Sequence, residues 1–272
     1  MLKITIGQYY PAKSFIHALD ARVKLVSTLT LITTIFFINN YIGYAFAFCF
    51  LATVVKTSTV PPKFLMRGLR AIMFIIIFTV FLNMFFTPGE ILLVSFGWFR
   101  ITLEGAVLAS QRALRLIMLV VGSSILTLTT TPIELTDAIE FLLKPLKKIG
   151  VPAHEIAMMM TIALRFIPTL IEELDKIIKA QTARGASFDT GGIVKKAKSM
   201  VPLLVPLFIS AFRRADDLAL AMEARCYRGD IGRTKMKQMH LGARDFQAAL
   251  VLVLFILGVV GLEILADMLG IW

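Results

Sequence analysis

The chain has 272 residues, of which 57% are hydrophobic, and its mean hydropathy is +0.79. Soluble domains are about 45–50% apolar, so this composition excludes an ordinary soluble domain and indicates an integral membrane protein. The formal net charge is +11. It does not indicate a nucleic-acid partner, because the basic residues lie mostly between and after the apolar runs and no nucleic-acid-binding motif accompanies them.

The N-terminal half predicts a short amphipathic lead over residues 1–22, followed by four membrane-spanning helices. The first two are short and form a tight hairpin around Asn39-Asn40, and part of this hairpin fits an interfacial position as well as a full crossing. The fourth helix is longer than a straight crossing requires. The four predicted spans are 25–38, 41–55, 71–86 and 103–130.

Basic residues predict the orientation of these spans. The segment 56–70 carries four lysines and arginines, whereas 88–102 carries only Arg100. Because basic loops face the cytoplasm, we expect 56–70 and the N-terminus to be cytoplasmic. Pro61-Pro62 is expected to stop any helix within the basic loop. The four basic residues of that loop are Lys56, Lys63, Arg67 and Arg70.

The segment Thr131–Ala243 differs in kind, since it holds 17 of the 29 basic and 12 of the 18 acidic residues. We expect a cytoplasmic block of long amphipathic helices, because apolar residues recur there at spacings of three and four. The apolar run from Met200 to Phe212 is too short to cross a membrane, and Pro202 and Pro206 are expected to break it. A fifth span, 246–270, ends outside. The fold class is therefore all-α: a polytopic membrane protein with about five transmembrane helices and a cytoplasmic domain of long amphipathic helices.

Catalytic motifs are not found in the sequence. It has no phosphate-binding loop, zinc motif or nucleophile elbow, and neither its histidines nor its two cysteines have ligand-type spacing. We therefore expect a non-enzymatic protein without cofactor or metal. Four charged residues in or near the spans leave two interpretations open: pairing within the bundle, or a substrate or proton path in a stand-alone secondary transporter. These residues are Glu104, Arg112, Arg115 and Glu263.

Two short basic motifs end the two long amphipathic stretches: Ala183-Arg184-Gly185 and Ala224-Arg225-Cys226, with 41 positions between the arginines. One interpretation of each is a helix C-terminus, where arginine complements the helix dipole and glycine forms a cap. The other is a docking tip, since small neighbours allow close approach and arginine presents a planar donor fork. The repetition favours docking.

The chain resembles the transmembrane T component of energy-coupling factor (ECF) transporters, the CbiQ/EcfT family of vitamin and metal-ion importers. The resemblance is densest from about 126 to 230. The chain differs from the family pattern at two positions. Cys226 stands in the third place of the second motif, and Ala21 stands where members often carry proline. The stretches that carry the resemblance are LDARVKL, TLTTTPIELTDAIEFLLKPLKKIGVP, LRFIPTLIEELDKIIKAQTARGA and VPLLVPLFISAFRRADDLALAMEARCYRG.

The resemblance implies a non-catalytic subunit of an ATP-driven importer in a prokaryotic cell membrane. It joins two ATPases, EcfA and EcfA', to an exchangeable substrate-binding S component. The implied domains are transmembrane helices over 1–130, a coupling domain over 131–243 and a last transmembrane helix over 244–272. Both arginine motifs are expected to dock the ATPases. The residues expected to face the S component are Met158, Met159, Met160, Leu203, Leu204 and Leu207.

Overall fold

A computed structural model describes residues 9–89, 91–96, 99–186, 188, 192–229 and 240–269. These residues form two compact units. One comprises the described parts of Gly7–Ala138 and Gln238–Trp272, and the other comprises those of Ile139–Lys237. The elements in chain order are α1 (Ala21–Phe36), α2 (Tyr41–Ser58), α3 (Pro62–Phe86), β1 (Leu92–Phe96), β2 (Phe99–Thr102), α4 (Leu103–Thr129), α5 (Pro132–Leu143), a 3₁₀ turn (Lys144–Ile149), α6 (Ala153–Ala183), α7 (Ile193–Ala224) and α8 (Ala243–Leu269).

Helix α4 is the centre of the first unit, where it packs against α1, α2 and α3, while α8 packs against α1 and α2. The core consists of large apolar side chains from these helices, among them Ile35, Tyr44, Met118 and Val259. Other apolar side chains of the unit point outward, and Phe74 of α3 is 77% exposed. Such a surface suits a hydrocarbon solvent, and the all-helical polytopic fold predicted from the sequence is confirmed.

Within the described residues, five helices are long and apolar enough to cross a membrane: α2, α3, α4, α6 and α8. The sequence also predicted five spans, but one of the five helices is a different one. Helix α1, a predicted span, is only 16 residues long, and α6, assigned from the sequence to the polar block, satisfies the length and composition criterion. The C-terminal half of α6 nevertheless carries Glu172, Glu173, Asp175, Lys176 and Lys179, which are costly groups to place in hydrocarbon.

The predicted basic loop over 56–70 is wrong in its extent. Helix α2 continues to Ser58 and α3 begins at Pro62, so the connection is short. Pro62 occupies the first turn of α3, where a proline costs nothing because its missing N–H would have no helical partner there. Most of the basic residues therefore lie in the first turns of α3 instead of in a loop.

A two-stranded antiparallel hairpin joins α3 to α4, formed by β1 and β2. The sequence analysis assigned no secondary structure to 88–102. The start of α4 is fixed by Thr102, whose hydroxyl accepts a hydrogen bond from the Gly105 N–H at 3.2 Å. This hairpin is a small addition to an otherwise helical molecule.

In the second unit, α6 and α7 pack against each other and reach 31 and 32 residues. The expectation that Pro202 and Pro206 break the apolar run is wrong, because α7 passes through both, as α6 passes through Pro168. Each internal proline removes one i→i−4 hydrogen bond, and helices of this length retain many others. The two long helices are therefore continuous up to the arginine motifs.

Candidate functional site

The first arginine motif is a helix C-cap of defined geometry. Helix α6 ends at Ala183, Arg184 is the capping residue, and Gly185 has a φ of +87°. The Gly185 N–H donates to the Thr182 carbonyl at 2.9 Å, and the Ala186 N–H donates to the Gln181 carbonyl at 3.0 Å. These two bonds define a Schellman motif, which satisfies carbonyls that the helix end leaves without partners.

The second motif repeats this geometry residue for residue. Helix α7 ends at Ala224, Arg225 is the capping residue, and Cys226 has a φ of +52°. The Cys226 N–H donates to the Glu223 carbonyl at 2.8 Å, and the Tyr227 N–H donates to the Met222 carbonyl at 3.0 Å. Cys226 thus occupies the left-handed conformation that Gly185 occupies in the first motif. The helix-cap interpretation is therefore confirmed for both motifs. It does not exclude the docking interpretation, because a capping arginine can still present its side chain to a partner.

The caps leave both arginines facing solvent. All six residues of the two motifs are exposed. Neither guanidinium has a hydrogen-bonding or ionic partner among the residues that the structure describes. An arginine at a helix C-terminus is favoured by the helix dipole, and that interaction leaves its donor fork available. The six residues are Ala183, Arg184, Gly185, Ala224, Arg225 and Cys226.

An ion pair joins α6 and α7 at equal distances from the two tips. The carboxylate of Glu173 accepts hydrogen bonds from the Ser210 hydroxyl and from Arg214 Nη2, the latter at 3.1 Å. Glu173 precedes Arg184 by 11 residues, and Arg214 precedes Arg225 by 11 residues. At 1.5 Å per residue each arginine therefore lies about 16 Å along its helix from this contact. We call the contact between Glu173, Ser210 and Arg214 the α6–α7 junction.

The second tip is also connected to the start of α6. Tyr227 follows the second motif directly, and its hydroxyl lies 3.4 Å from His154 Nε2. His154 Nδ1 in turn lies 3.1 Å from Glu140 Oε1 of α5. Glu140 is buried and His154 is nearly so. Sequence reasoning missed both this chain of contacts and the α6–α7 junction, because no local spacing brings together residues so far apart in the chain.

The residues predicted to face a membrane partner differ in accessibility. Met159 and Met160 of α6 are exposed, as is Leu204 of α7, whereas Met158 and Leu207 are half-buried. Leu203 is only 7% exposed, so its side chain is not available to a partner in this state. More exposed apolar side chains lie along the same part of α7 than the sequence analysis named: Met200, Val201, Val205, Phe208, Ile209 and Phe212.

Arg115 and Glu263, left open by the sequence, both bind the turn between α1 and α2. Arg115 Nη2 donates to the Ile38 carbonyl at 2.8 Å, and its Nε donates to the Tyr44 hydroxyl at 3.1 Å. The Glu263 carboxylate accepts from the Asn39 N–H at 2.9 Å and from Asn40 Nδ2 at 2.8 Å. The polar groups of this turn are thus satisfied by α4 and α8.

Arg112 and Glu104 also have partners within the first unit. Arg112 donates to the side-chain oxygen of Asn83 on α3, and Glu104 accepts from the Ile91 N–H at 3.2 Å. The geometry therefore supports pairing within the bundle for all four charged residues. Among the described residues there is no group of three histidine, cysteine or acidic side chains placed to hold a metal ion.

Comparison with known proteins agrees with this architecture. A sequence model of the CbiQ family, described as cobalt transport protein, matches residues 12–237. The energy-coupling factor transporter transmembrane protein EcfT of Ruminiclostridium cellulolyticum is 53% identical over 260 residues, which cover 96% of this chain and 97% of the relative. The proteins of the same name from Thermosediminibacter oceani and Clostridium kluyveri are 56% and 54% identical, each over 91% of this chain and 93% and 92% of the relative.

The matched range includes both arginine motifs and the helices that they end. More than half of the aligned residues are identical, and the alignments cover nearly the whole length of both this chain and each relative. The chain therefore belongs to the CbiQ family, and it is similar over nearly its full length to the transmembrane components of energy-coupling factor transporters.

Proposed function

We propose that this chain is the energy-coupling membrane subunit of an ATP-driven importer, which joins two cytoplasmic ATPases to a substrate-binding S component. The observation that carries the proposal is the pair of exposed arginines, Arg184 and Arg225, held on matching caps at the ends of two helices in mutual contact. Two tips of the same construction suit a partner with two similar sockets, such as the ATPase pair EcfA and EcfA'. The relatives are named as transmembrane components of energy-coupling factor transporters, which supports a place for this chain in such a complex.

Each tip would dock through its arginine. The neighbouring Ala183 and Gly185, like Ala224 and Cys226, are small enough to let a groove close around the guanidinium. A hydrogen bond from a charged donor contributes about 1.5–3 kcal/mol, and arginine makes such bonds in pairs with carboxylates or carbonyls. Two docked arginines would therefore contribute much of the affinity for the ATPase pair.

The α6–α7 junction would transmit motion between the ATPases. Because the junction lies at equal distances from the two tips, approach of the two ATPases on binding ATP would move both arginines about one common contact. We place α6 and α7 in a cytoplasmic coupling domain because 17 of the 29 basic residues lie in Thr131–Ala243, and basic segments face the cytoplasm. The basic residues of 56–70 place the N-terminus on the same side. ATP hydrolysis is assigned to the partners and not to this chain.

The apolar side chains of α6 and α7 would contact the S component. Exposed Met159 and Met160 are adaptable in shape, and Leu204 extends the same kind of surface on α7. Half-buried Met158 and Leu207 would contribute at its edge. A surface of this kind suits several S components in exchange. The imported substrate, a vitamin or another micronutrient, would be selected by the S component.

Transport in reconstituted vesicles tests the proposal. With both ATPases and an S component present, we expect ATP-dependent uptake that the double variant Arg184→Ala/Arg225→Ala abolishes. The matched control is Arg165→Ala/Arg213→Ala, which removes one exposed arginine from each of the same two helices and should leave uptake intact. Substrate uptake by the purified chain alone, without ATPase, would instead establish a secondary transporter and overturn the proposal.

A further inference from the structure

The first unit contains an apolar cavity of about 620 Å³ between α1, α2, α4 and α8, a volume typical of ligand sites. Leu31, Leu51, Ile125 and Leu252 line it. The hydroxyls of four threonines in its wall already donate to carbonyls of their own helices, so they offer no free donor to an occupant. The bonds are Thr28 to Lys24 at 2.8 Å, Thr53 to Cys49 at 2.9 Å, Thr57 to Thr53 at 3.0 Å and Thr129 to Ile125 at 2.7 Å.

Lys24 also lines this cavity, and its ammonium group is already engaged. Its Nζ donates to the His17 carbonyl and to the Thr129 carbonyl, both at 3.0 Å. The cavity wall therefore offers mainly hydrocarbon to an occupant. A hydrocarbon chain fits such a lining, whereas a polar solute would lose hydrogen bonds to water without replacement.

A second cavity of about 600 Å³ adjoins the first, and the exposed ring of Phe15 lines both. This second cavity is open to solvent and basic: Lys13 and Arg244 line it together with Ser14, His17 and several apolar side chains. Lys13 and Arg244 are exposed. The two cavities together offer one hydrocarbon compartment and one cationic compartment at the end of the bundle where α1 and α8 begin.

The acidic residues beside the basic cavity are occupied by backbone N–H groups. Asp245 Oδ1 accepts from the Asp20 N–H at 2.7 Å, and its Oδ2 accepts from the Gly242 N–H at 2.8 Å. Asp20 Oδ1 accepts from the Arg22 N–H at 2.9 Å. The Asp20 side chain is 5% exposed and Asp245 is 6% exposed, so the charges that this cavity presents to solvent are those of Lys13 and Arg244.

Internal hydrogen bonds hold the segment that carries Lys13 against the bundle. His17 Nε2 lies 2.9 Å from the Tyr10 carbonyl, and His17 Nδ1 lies 2.7 Å from Ser14 Oγ. The Tyr10 N–H donates to the Leu128 carbonyl of α4 at 2.9 Å. The basic cavity is therefore formed before any ligand arrives, which reduces the ordering cost of binding.

We propose that the two cavities form one binding site for an anionic phospholipid. An acyl chain would fill the apolar cavity, and the phosphate would lie beside Lys13 and Arg244. Charge complementarity selects an anionic over a zwitterionic lipid, and the hydrocarbon lining of the apolar cavity selects a lipid over a soluble phosphate. The site shares no residue with the arginine motifs, so its test does not depend on ATPase docking.

Native mass spectrometry of the full chain in detergent tests this site. The lipids are phosphatidylglycerol and phosphatidylcholine with the same acyl chains, added in titration. We expect one phosphatidylglycerol to be retained preferentially. The variant Lys13→Ala/Arg244→Ala should weaken its binding roughly thirtyfold, the loss expected for two basic residues beside an anionic headgroup.

Two controls separate this site from general attraction to a basic surface. Lys63→Ala/Arg70→Ala removes two other exposed positive charges away from both cavities, and it should retain phosphatidylglycerol as the original chain does. Inorganic phosphate at millimolar concentration should not displace the lipid. Equal loss in the two double variants, equal retention of the two lipids, or displacement by inorganic phosphate would each overturn the proposal.

Discussion

The left-handed residue of each arginine cap gives a sharp prediction for Gly185→Ala. Gly185 has a φ of +87° and an added Cβ would meet no atom within 4 Å, so the whole cost of the substitution is conformational. For an L-residue that cost is about 1–2 kcal/mol. A helix end weakened by about 1 kcal/mol opens roughly five times more often.

Hydrogen exchange at the amides of residues 185 and 186 measures this opening, because these amides donate to the Thr182 and Gln181 carbonyls. We expect exchange roughly fivefold or more faster in Gly185→Ala, after correction for intrinsic rates. The control is Gly192→Ala: this residue also has open space around its Cβ position, but its φ is −68°. It should leave residues 185 and 186 unchanged. Unaltered exchange in Gly185→Ala itself would refute the assignment of the cap.

The remaining predictions concern contacts within each unit. Glu263→Gln should keep ATP-driven uptake, because Glu263 serves the α1–α2 turn; abolished uptake in a stably folded variant would point to a proton path. Arg115→Met should destabilise the bundle by about 1–3 kcal/mol in unfolding assays, since it leaves the Ile38 carbonyl and Tyr44 hydroxyl without their donor, whereas exposed Arg70→Met should be nearly neutral. Equal stability of the two variants would contradict this assignment. Glu173→Gln and Arg214→Gln should be non-additive in a double-mutant cycle, and additive effects would exclude coupling across the junction.

The sequence predicted the elements whose signals are local. The span 103–130 corresponds to α4, Leu103–Thr129, because a long, mainly apolar stretch of the sequence identifies it. Prolines were less informative: Pro62 begins a helix and Pro202 lies within one, because the effect of a proline depends on its position in the helix. The extent of the 56–70 loop and the break in α7 were wrong for this reason.

The candidate site was located by its repetition, but its geometry was not predictable. Gly185 signalled a left-handed cap, whereas Cys226 gave no such signal, since cysteine rarely adopts this conformation. The pairing of Glu173 with Arg214, and of Glu263 with Asn40, depends on helices that are distant in sequence. The assignment of docking roles to the tips, like the domain boundaries at 130/131 and 243/244, stays a prediction.

The stoichiometry of the purified complex tests the central claim most directly. With both ATPases coexpressed, we predict two ATPase subunits for each copy of the chain, weakened association in Arg184→Ala or Arg225→Ala, and loss of both ATPases in the double variant. The control Arg165→Ala/Arg213→Ala should keep two. Full retention of both ATPases by a correctly inserted Arg184→Ala/Arg225→Ala chain would contradict the account.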